Sequence, residues 1–302
     1  MAIIGSDGVL APGKLRWLRA AGWMVVLAAA VVIAFNAIAR ATLWLLAATR
    51  GTDLAVAPAV DRLVAACVGA MAIVALYGVA VRFGERRRVS ELSLRHLAPD
   101  LLLGVLVGAA LMAVIVAALW LGRWVVITPQ PVEAIAIALR DSIRSGVVEE
   151  LLLRLVIFRL LWRAFGVWPA LAVSASLFGL LHLSNPDSSL LAAVALIAGE
   201  GIGIGLYLIT GRIWAAMGMH VAWNFTQGWL FGAAVSGTTD IAGGPLALRP
   251  MPGVPDLLSG GGFGPEASLA ALIVSLAASA AFLLRAWKLG RFVAADDPGE
   301  TP

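Results

Sequence analysis

Long apolar runs separated by short polar joints dominate the chain. One bilayer-crossing helix needs about 20 mostly apolar residues. On that measure the pattern predicts eight helices, over 21–48, 63–82, 99–122, 134–162, 168–184, 189–210, 213–234 and 267–287. The joints between the fourth and seventh helices are short, and one, Ser184-Asn185-Pro186-Asp187-Ser188-Ser189, is plainly polar. The one long connection, Ser236 to Glu266, includes Gly260-Gly261-Gly262-Phe263-Gly264-Pro265, and its Gly and Pro content predicts a flexible extramembrane loop. The expected fold is all-α: a polytopic membrane helix bundle of about eight transmembrane helices, forming a single integral membrane domain over 1–302 with candidate catalytic core helices at 133–234.

Composition sharpens this expectation. Hydrophobic residues make up 61% of the 302 positions and charged residues 13%, more apolar surface than a soluble domain of this length can hide. The single cysteine, Cys67, excludes an intramolecular disulfide framework and a cysteine-based zinc cage. Lys14, Arg16 and Arg19 precede an apolar run that continues through Leu46, too long for the core of a signal peptide, so it reads as a retained first span. No basic, aromatic-interleaved patch suited to nucleic acid is present.

Lys and Arg are distributed unevenly between alternate joints. With the N-terminus inside, the inner side collects Lys14, Arg16, Arg19, Arg82, Arg86, Arg87, Arg88, Arg95, Arg159, Arg163, Arg212, Arg285, Lys288 and Arg291. The outer loops receive Arg50, Arg62, Arg123 and Arg249. Both termini are therefore expected to be cytoplasmic, with Arg86-Arg87-Arg88 an orientation anchor at anionic lipid. The preference for alanine and arginine suggests a GC-rich bacterial genome and a multi-pass protein of the plasma membrane. Gly199, Gly201, Gly203 and Gly205 lie inside an apolar span with no strand before them. They read as a surface for close helix packing through Gly201-x-x-x-Gly205 and not as a nucleotide loop.

Ionisable residues inside a bilayer cost about 2.5–3.5 kcal/mol each and call for a reason. The fourth to seventh spans hold several: Glu149-Glu150-Leu151-Leu152-Leu153-Arg154, Phe178 and His182, Glu200, and His220 with Asn224. Glu150 and Arg154 are four apart and can meet on one helix face, while Glu149 points about 100° away and is free for another neighbour. His220 and Asn224 stack one turn apart, as do Phe178 and His182, the ring forming an apolar wall beside the imidazole. At a rise of about 1.5 Å per residue, Glu149, His182 and Asn224 each lie on the order of 20 Å from the inner ends of their helices. Arg140, Asp141 and Arg144 allow an interfacial helix before a shorter fourth span. A carboxylate beside imidazoles can deprotonate water, the imidazoles can ligate a metal or share the proton work, and an amide N–H can stabilise an oxyanion. The same groups also suit a purely structural network, a proton-coupled transporter, or a non-catalytic membrane peptide-binding or immunity protein. The absence of paired helix breaks in two matching halves argues against transport.

The segments E-E-x-x-x-R at Glu149 to Arg154, F-x-x-x-H at Phe178 to His182 and H-x-x-x-N at His220 to Asn224 resemble the motifs of the CPBP family. These are the CAAX prenyl endopeptidase type II and bacteriocin-processing proteins, also called Abi-domain proteins. The resemblance covers about 133–234. It implies an eight-helix intramembrane endopeptidase acting on a membrane-anchored, lipidated or CAAX-type peptide or protein substrate. On that resemblance Glu149 activates water together with His182, His220 and Asn224 stabilise the oxyanion or complete a metal site, and Glu150, Arg154 and Phe178 support them. His182, His220 and Glu149 form a candidate zinc set, as in a metalloprotease; a metal-independent glutamate mechanism stands beside it.

Overall fold

The computed structural model describes residues 7–133 and 135–293; Ala134, the first residue of the predicted fourth span, and the two ends of the predicted 1–302 domain lie outside them. Three long helices come first, α1 (Arg16–Arg50), α2 (Ala59–Gly84) and α3 (Leu97–Leu121), followed by strand β1 (Val125–Pro129). Helix α4 (Ile135–Glu150) runs without a break into a π-helical stretch, Leu151–Phe158, and then into α5 (Arg159–Phe165). Helices α6 (Val167–Leu181), α7 (Leu190–Thr210) and α8 (Trp214–Phe225) follow, the last extended by a π turn at Thr226–Leu230. Strand β2 (Leu246–Pro250), short helix α9 (Asp256–Ser259) and helix α10 (Leu269–Lys288) complete the chain. Ser189 and Ser268 cap α7 and α10, their hydroxyls accepting from Ala192 N and Ala271 N at 3.1 Å, which satisfies amides that the first turn leaves without partners.

The architecture is an all-helical membrane bundle. Among the described residues six helical segments are long and apolar enough to cross a membrane: Arg16–Arg50, Ala59–Gly84, Ser90–Leu121, Val167–Ser184, Leu190–Thr210 and Leu269–Lys288. The predicted fourth and seventh spans are helical too but fall outside that set. The fourth carries Arg140, Asp141, Arg144, Glu149, Glu150 and Arg154 along its length, and α8 has only 12 α-helical residues before its π turn. These two polar helices sit among the others. Glu150, Arg154 and Asn224 are buried, whereas Val25, Ile33, Leu102, Leu106 and Ile273 are exposed as lipid-facing groups are. Arg140, Asp141 and Arg144 belong to α4 itself rather than to a separate interfacial helix.

At the end of the bundle nearer the N-terminus, fully buried Ile73, Tyr77, Leu151, Leu155, Phe158 and Ile204 form one core. At the other end Met112, Ile115, Leu119, Val125 and Leu248 pack beneath an antiparallel ribbon in which β1 pairs with β2, Val125 opposite Pro250 and Pro129 opposite Leu246. The long connection is therefore ordered, against the expectation of a flexible loop. Its strand is held by a partner more than a hundred residues away in sequence. Gly237, at φ +83°, lies so close to the Pro186 carbonyl that any side chain there would collide with it. Asn185 Nδ2 donates to Ser236 O at 3.0 Å, tying the polar joint to the long connection.

Candidate functional site

Helices α4, α6, α7 and α8, together with the long connection, enclose a cavity of about 300 Å³. Glu149, Glu150, Arg154, Phe178, His182, Glu200, His220 and Asn224 all line it, so the three motif segments predicted to converge do so. The π-helical stretch begins directly after Glu150. The Glu150 and Arg154 side chains meet across its start, Arg154 Nε lying 2.9 Å from Glu150 Oε2. This is the predicted neutralising pair, buried at 0% and 2% side-chain exposure.

Arg154 is shared with a second acid. Its Nη2 donates to Glu200 Oε1 at 3.0 Å, so the guanidinium lies between two carboxylates. Gly203 makes room for it, because a Cβ there would run into the guanidinium, while Gly201 and Gly205 bring α7 close to Ser279 and Phe282 of α10. The glycine series thus serves helix packing, as the sequence predicts, and houses a buried cation as well.

His220 Nδ1 lies 2.8 Å from Glu150 Oε1; with a carboxylate as acceptor, Nδ1 carries the proton. Its Nε2 faces Glu149 Oε2 at 3.7 Å, an electrostatic neighbour beyond hydrogen-bond reach. Glu149 is one-third exposed, into the cavity, and no guanidinium pairs with it among the described residues. The adjacent glutamates therefore have different surroundings: Glu150 is fixed by Arg154 and His220, and Glu149 is left facing the cavity. His182 Nδ1 lies 2.8 Å from the Phe178 carbonyl, which can only accept, so the ring donates there, and in the neutral tautomer the lone pair is on Nε2. Phe178 stands between the imidazoles, its ring centroid 4.4 Å from that of His182 and 6.2 Å, edge-on, from that of His220. Asn224 Nδ2 donates to Ser145 Oγ at 2.9 Å, and Ser145 in turn donates to Asp141 O at 2.9 Å.

Ser145 and Glu266 were not singled out in the sequence, whereas Glu200 was noted there without a partner. Ser145 fixes the Asn224 amide; the four-residue spacing Asp141, Ser145, Glu149 puts all three on one face of α4 and could have revealed it. Glu200, an isolated acid in an apolar span, holds Arg154 from the far side. Glu266 is buried and lines the cavity, accepting from Ser236 N at 2.7 Å, Ser236 Oγ at 2.8 Å and Trp223 Nε1 at 3.2 Å. It joins the connection to α8, and no local pattern announces it.

The candidate zinc set can be tested on the same geometry. Among the described residues no group of three or more His, Cys, Asp or Glu side chains is gathered so as to hold a metal ion. His182, His220 and Glu149 share a wall of the cavity without closing into a ligand set. A second, apolar groove of about 770 Å³ opens beside the cavity between α1, the π-helical stretch and α6. Val25, Val32, Leu153, Ile157 and Leu181 line it, and it shares Glu149, Phe178, His182 and Asn185 with the cavity.

No curated protein and no solved structure matches the chain. A family model does: residues 131–226 match Rce1-like, the Type II CAAX prenyl endopeptidase Rce1-like family. That segment holds all three motif segments and most of the cavity wall. The resemblance to the CPBP proteins is borne out over residues 131–226, which are similar to a CAAX prenyl endopeptidase family.

Proposed function

We propose that the chain is an intramembrane endopeptidase that hydrolyses a peptide bond of a membrane-anchored substrate with water activated by Glu149. The observation that carries this reading is the unequal treatment of two adjacent acids. Glu150 is locked between a guanidinium and an imidazole, and Glu149 faces the cavity without a cationic guanidinium partner. In the mechanism Glu149 takes a proton from water as its oxygen attacks the scissile carbonyl, then delivers that proton to the departing amine. His182 accepts from the water at Nε2 and orients it. The Asn224 N–H not given to Ser145 donates to the developing oxyanion, joined by His220 Nε2–H when that ring carries its second proton. Glu150, Arg154 and Glu200 hold His220 in position.

The apolar groove supports a membrane-anchored or lipidated substrate, since a hydrophobic anchor lying in it brings the adjoining peptide to Glu149 and His182. The arginine distribution supports a plasma-membrane protein with both termini cytoplasmic. The unclosed ligand set favours the metal-independent form of the reaction. The test is to reconstitute purified protein in liposomes with membrane-anchored peptides and to seek new termini by mass spectrometry, with and without excess chelator. Cleavage that survives chelation is expected. Stoichiometric binding without new termini would favour a peptide-binding protein instead, and ion-coupled uptake a transporter.

A further inference from the structure

The cavity has one open end and one sealed end, and the cations of the chain are divided along the same axis. Its rim carries the exposed residues Arg144 and Asp240, together with Asn185 and Thr238, all on the side of the β1–β2 ribbon. On the opposite side, below Glu150 and Arg154, Leu151, Leu155, Phe158, Ile204 and Ile213 fill the bundle at full burial. From Glu149 to Trp162 this plug is on the order of 20 Å deep at about 1.5 Å per residue. The described ends of the chain, the joint from Arg82 to Arg95 and the Arg212 joint, which together carry most of the lysine and arginine, lie at the sealed end. Towards the open end lie the loop residues Arg50, Arg62, Arg123 and Arg249, with Arg40 of α1 and Arg140 and Arg144 of α4. Cationic joints are retained on the cytoplasmic side of a membrane.

We infer that the cavity works from the non-cytoplasmic face, and that its substrates are membrane-anchored polypeptides whose scissile segment has already been carried across the membrane. The groove fits such a substrate. Its α1 wall descends from Ile33 to Val25, on the order of 12 Å along the helix axis at about 1.5 Å per residue, so an apolar spanning segment can lie there with its outer end at Glu149. A tail anchored in the cytoplasmic leaflet meets the packed plug instead. The substrate half of the inference rests on the peptidase reading; the orientation half does not.

Two arms keep those halves apart. In a Cys67→Ser background, Met251→Cys reports the open end and Val293→Cys the sealed end; both positions are exposed and outside the cavity wall. A membrane-impermeant maleimide applied to intact bacterial cells should label position 251, with position 293 reacting only after permeabilisation. Equal labelling, or labelling of 293 alone, overturns the orientation. In the second arm a single-spanning reporter carries one cleavable segment, displayed on one face or the other in two versions. Cleavage is expected only when the segment is non-cytoplasmic, and cleavage only of the cytoplasmic display overturns the substrate class. If neither display is cut while the labelling holds, the peptidase reading fails, the substrate class falls with it, and the orientation stands.

Discussion

Two of the buried charge clusters among the described residues are built to different rules. At the sealed end Glu85 accepts from Arg159 Nη1 and Nη2 at 2.8 and 2.7 Å, from Arg87 Nε at 2.8 Å and from Trp23 Nε1 at 2.9 Å. Glu91 accepts from Tyr77 Oη at 2.7 Å and from Arg87, and Arg159 Nε returns to the Leu155 carbonyl at 2.7 Å. Both Glu85 oxygens are occupied, and neither Glu85, Glu91, Arg87 nor Arg159 lines either cavity. In the cavity cluster, by contrast, Arg154 Nη1 and Glu200 Oε2 have no hydrogen-bond partner among the described residues, Glu150 Oε2 meets only Arg154 Nε as an ion pair, and Glu149 is partly exposed. A buried network that is fully satisfied fixes helices; one left incomplete beside an open space retains capacity for chemistry. Charge in a membrane protein is thus not by itself a mark of function, and its degree of satisfaction separates the two uses.

The largest effect expected is from Arg154→Met. It leaves Glu150 and Glu200 buried without their shared cation, and should cost about 3–5 kcal/mol as a lower melting temperature in detergent, together with loss of turnover. Glu200→Gln added to that variant removes one orphaned acid and should recover part of the melting temperature but not the activity. Full recovery of turnover would show that the trio does not position His220.

The sealed-end cluster should reveal itself through pH. Burial by itself raises the Glu85 carboxyl, but the Arg159 and Arg87 guanidinia outweigh it and hold the group at about 2, below its ordinary 4.5. Because the folded value is the lower one, the stabilisation, on the order of 3 kcal/mol, is complete above the ordinary value and is lost as pH falls towards 2. Melting curves across that range should slope more steeply for the parent than for Glu85→Gln. Parallel curves would mean that the cluster contributes no such linkage.

A smaller effect is expected at Ser145. Ser145→Ala deprives the Asn224 amide of its acceptor and should lower kcat by roughly fivefold, about 1 kcal/mol, with KM little changed. A change confined to KM would assign Ser145 to substrate binding and not to orientation of Asn224.

Hydropathy makes the bundle legible, because burying apolar surface in lipid leaves a run-length signal that needs no tertiary information. The charged spacing in the fourth span likewise foretold the Glu150–Arg154 pair. What stayed hidden depends on partners distant in sequence. The Val125–Pro250 ribbon and the Glu266 anchor turn a Gly- and Pro-rich stretch into an ordered wall of the cavity. Arg87, read as part of a lipid anchor, is drawn into the Glu85–Glu91 cluster, while Arg86 and Arg88 stay exposed. The π-helical turn after Glu150 is invisible because its residues are ordinary helix formers, and packing rather than propensity selects it. The approach of His220 Nε2 to Glu149 at 3.7 Å was likewise out of reach.

The measurement that bears most directly on the account is the turnover of Glu149→Gln on a membrane-anchored peptide, taken with its melting curve. The exchange keeps shape and removes the charge that accepts the water proton. The account predicts a fall in kcat of at least about a hundredfold with an unchanged melting temperature; a variant that cleaves at the parent's rate would contradict it.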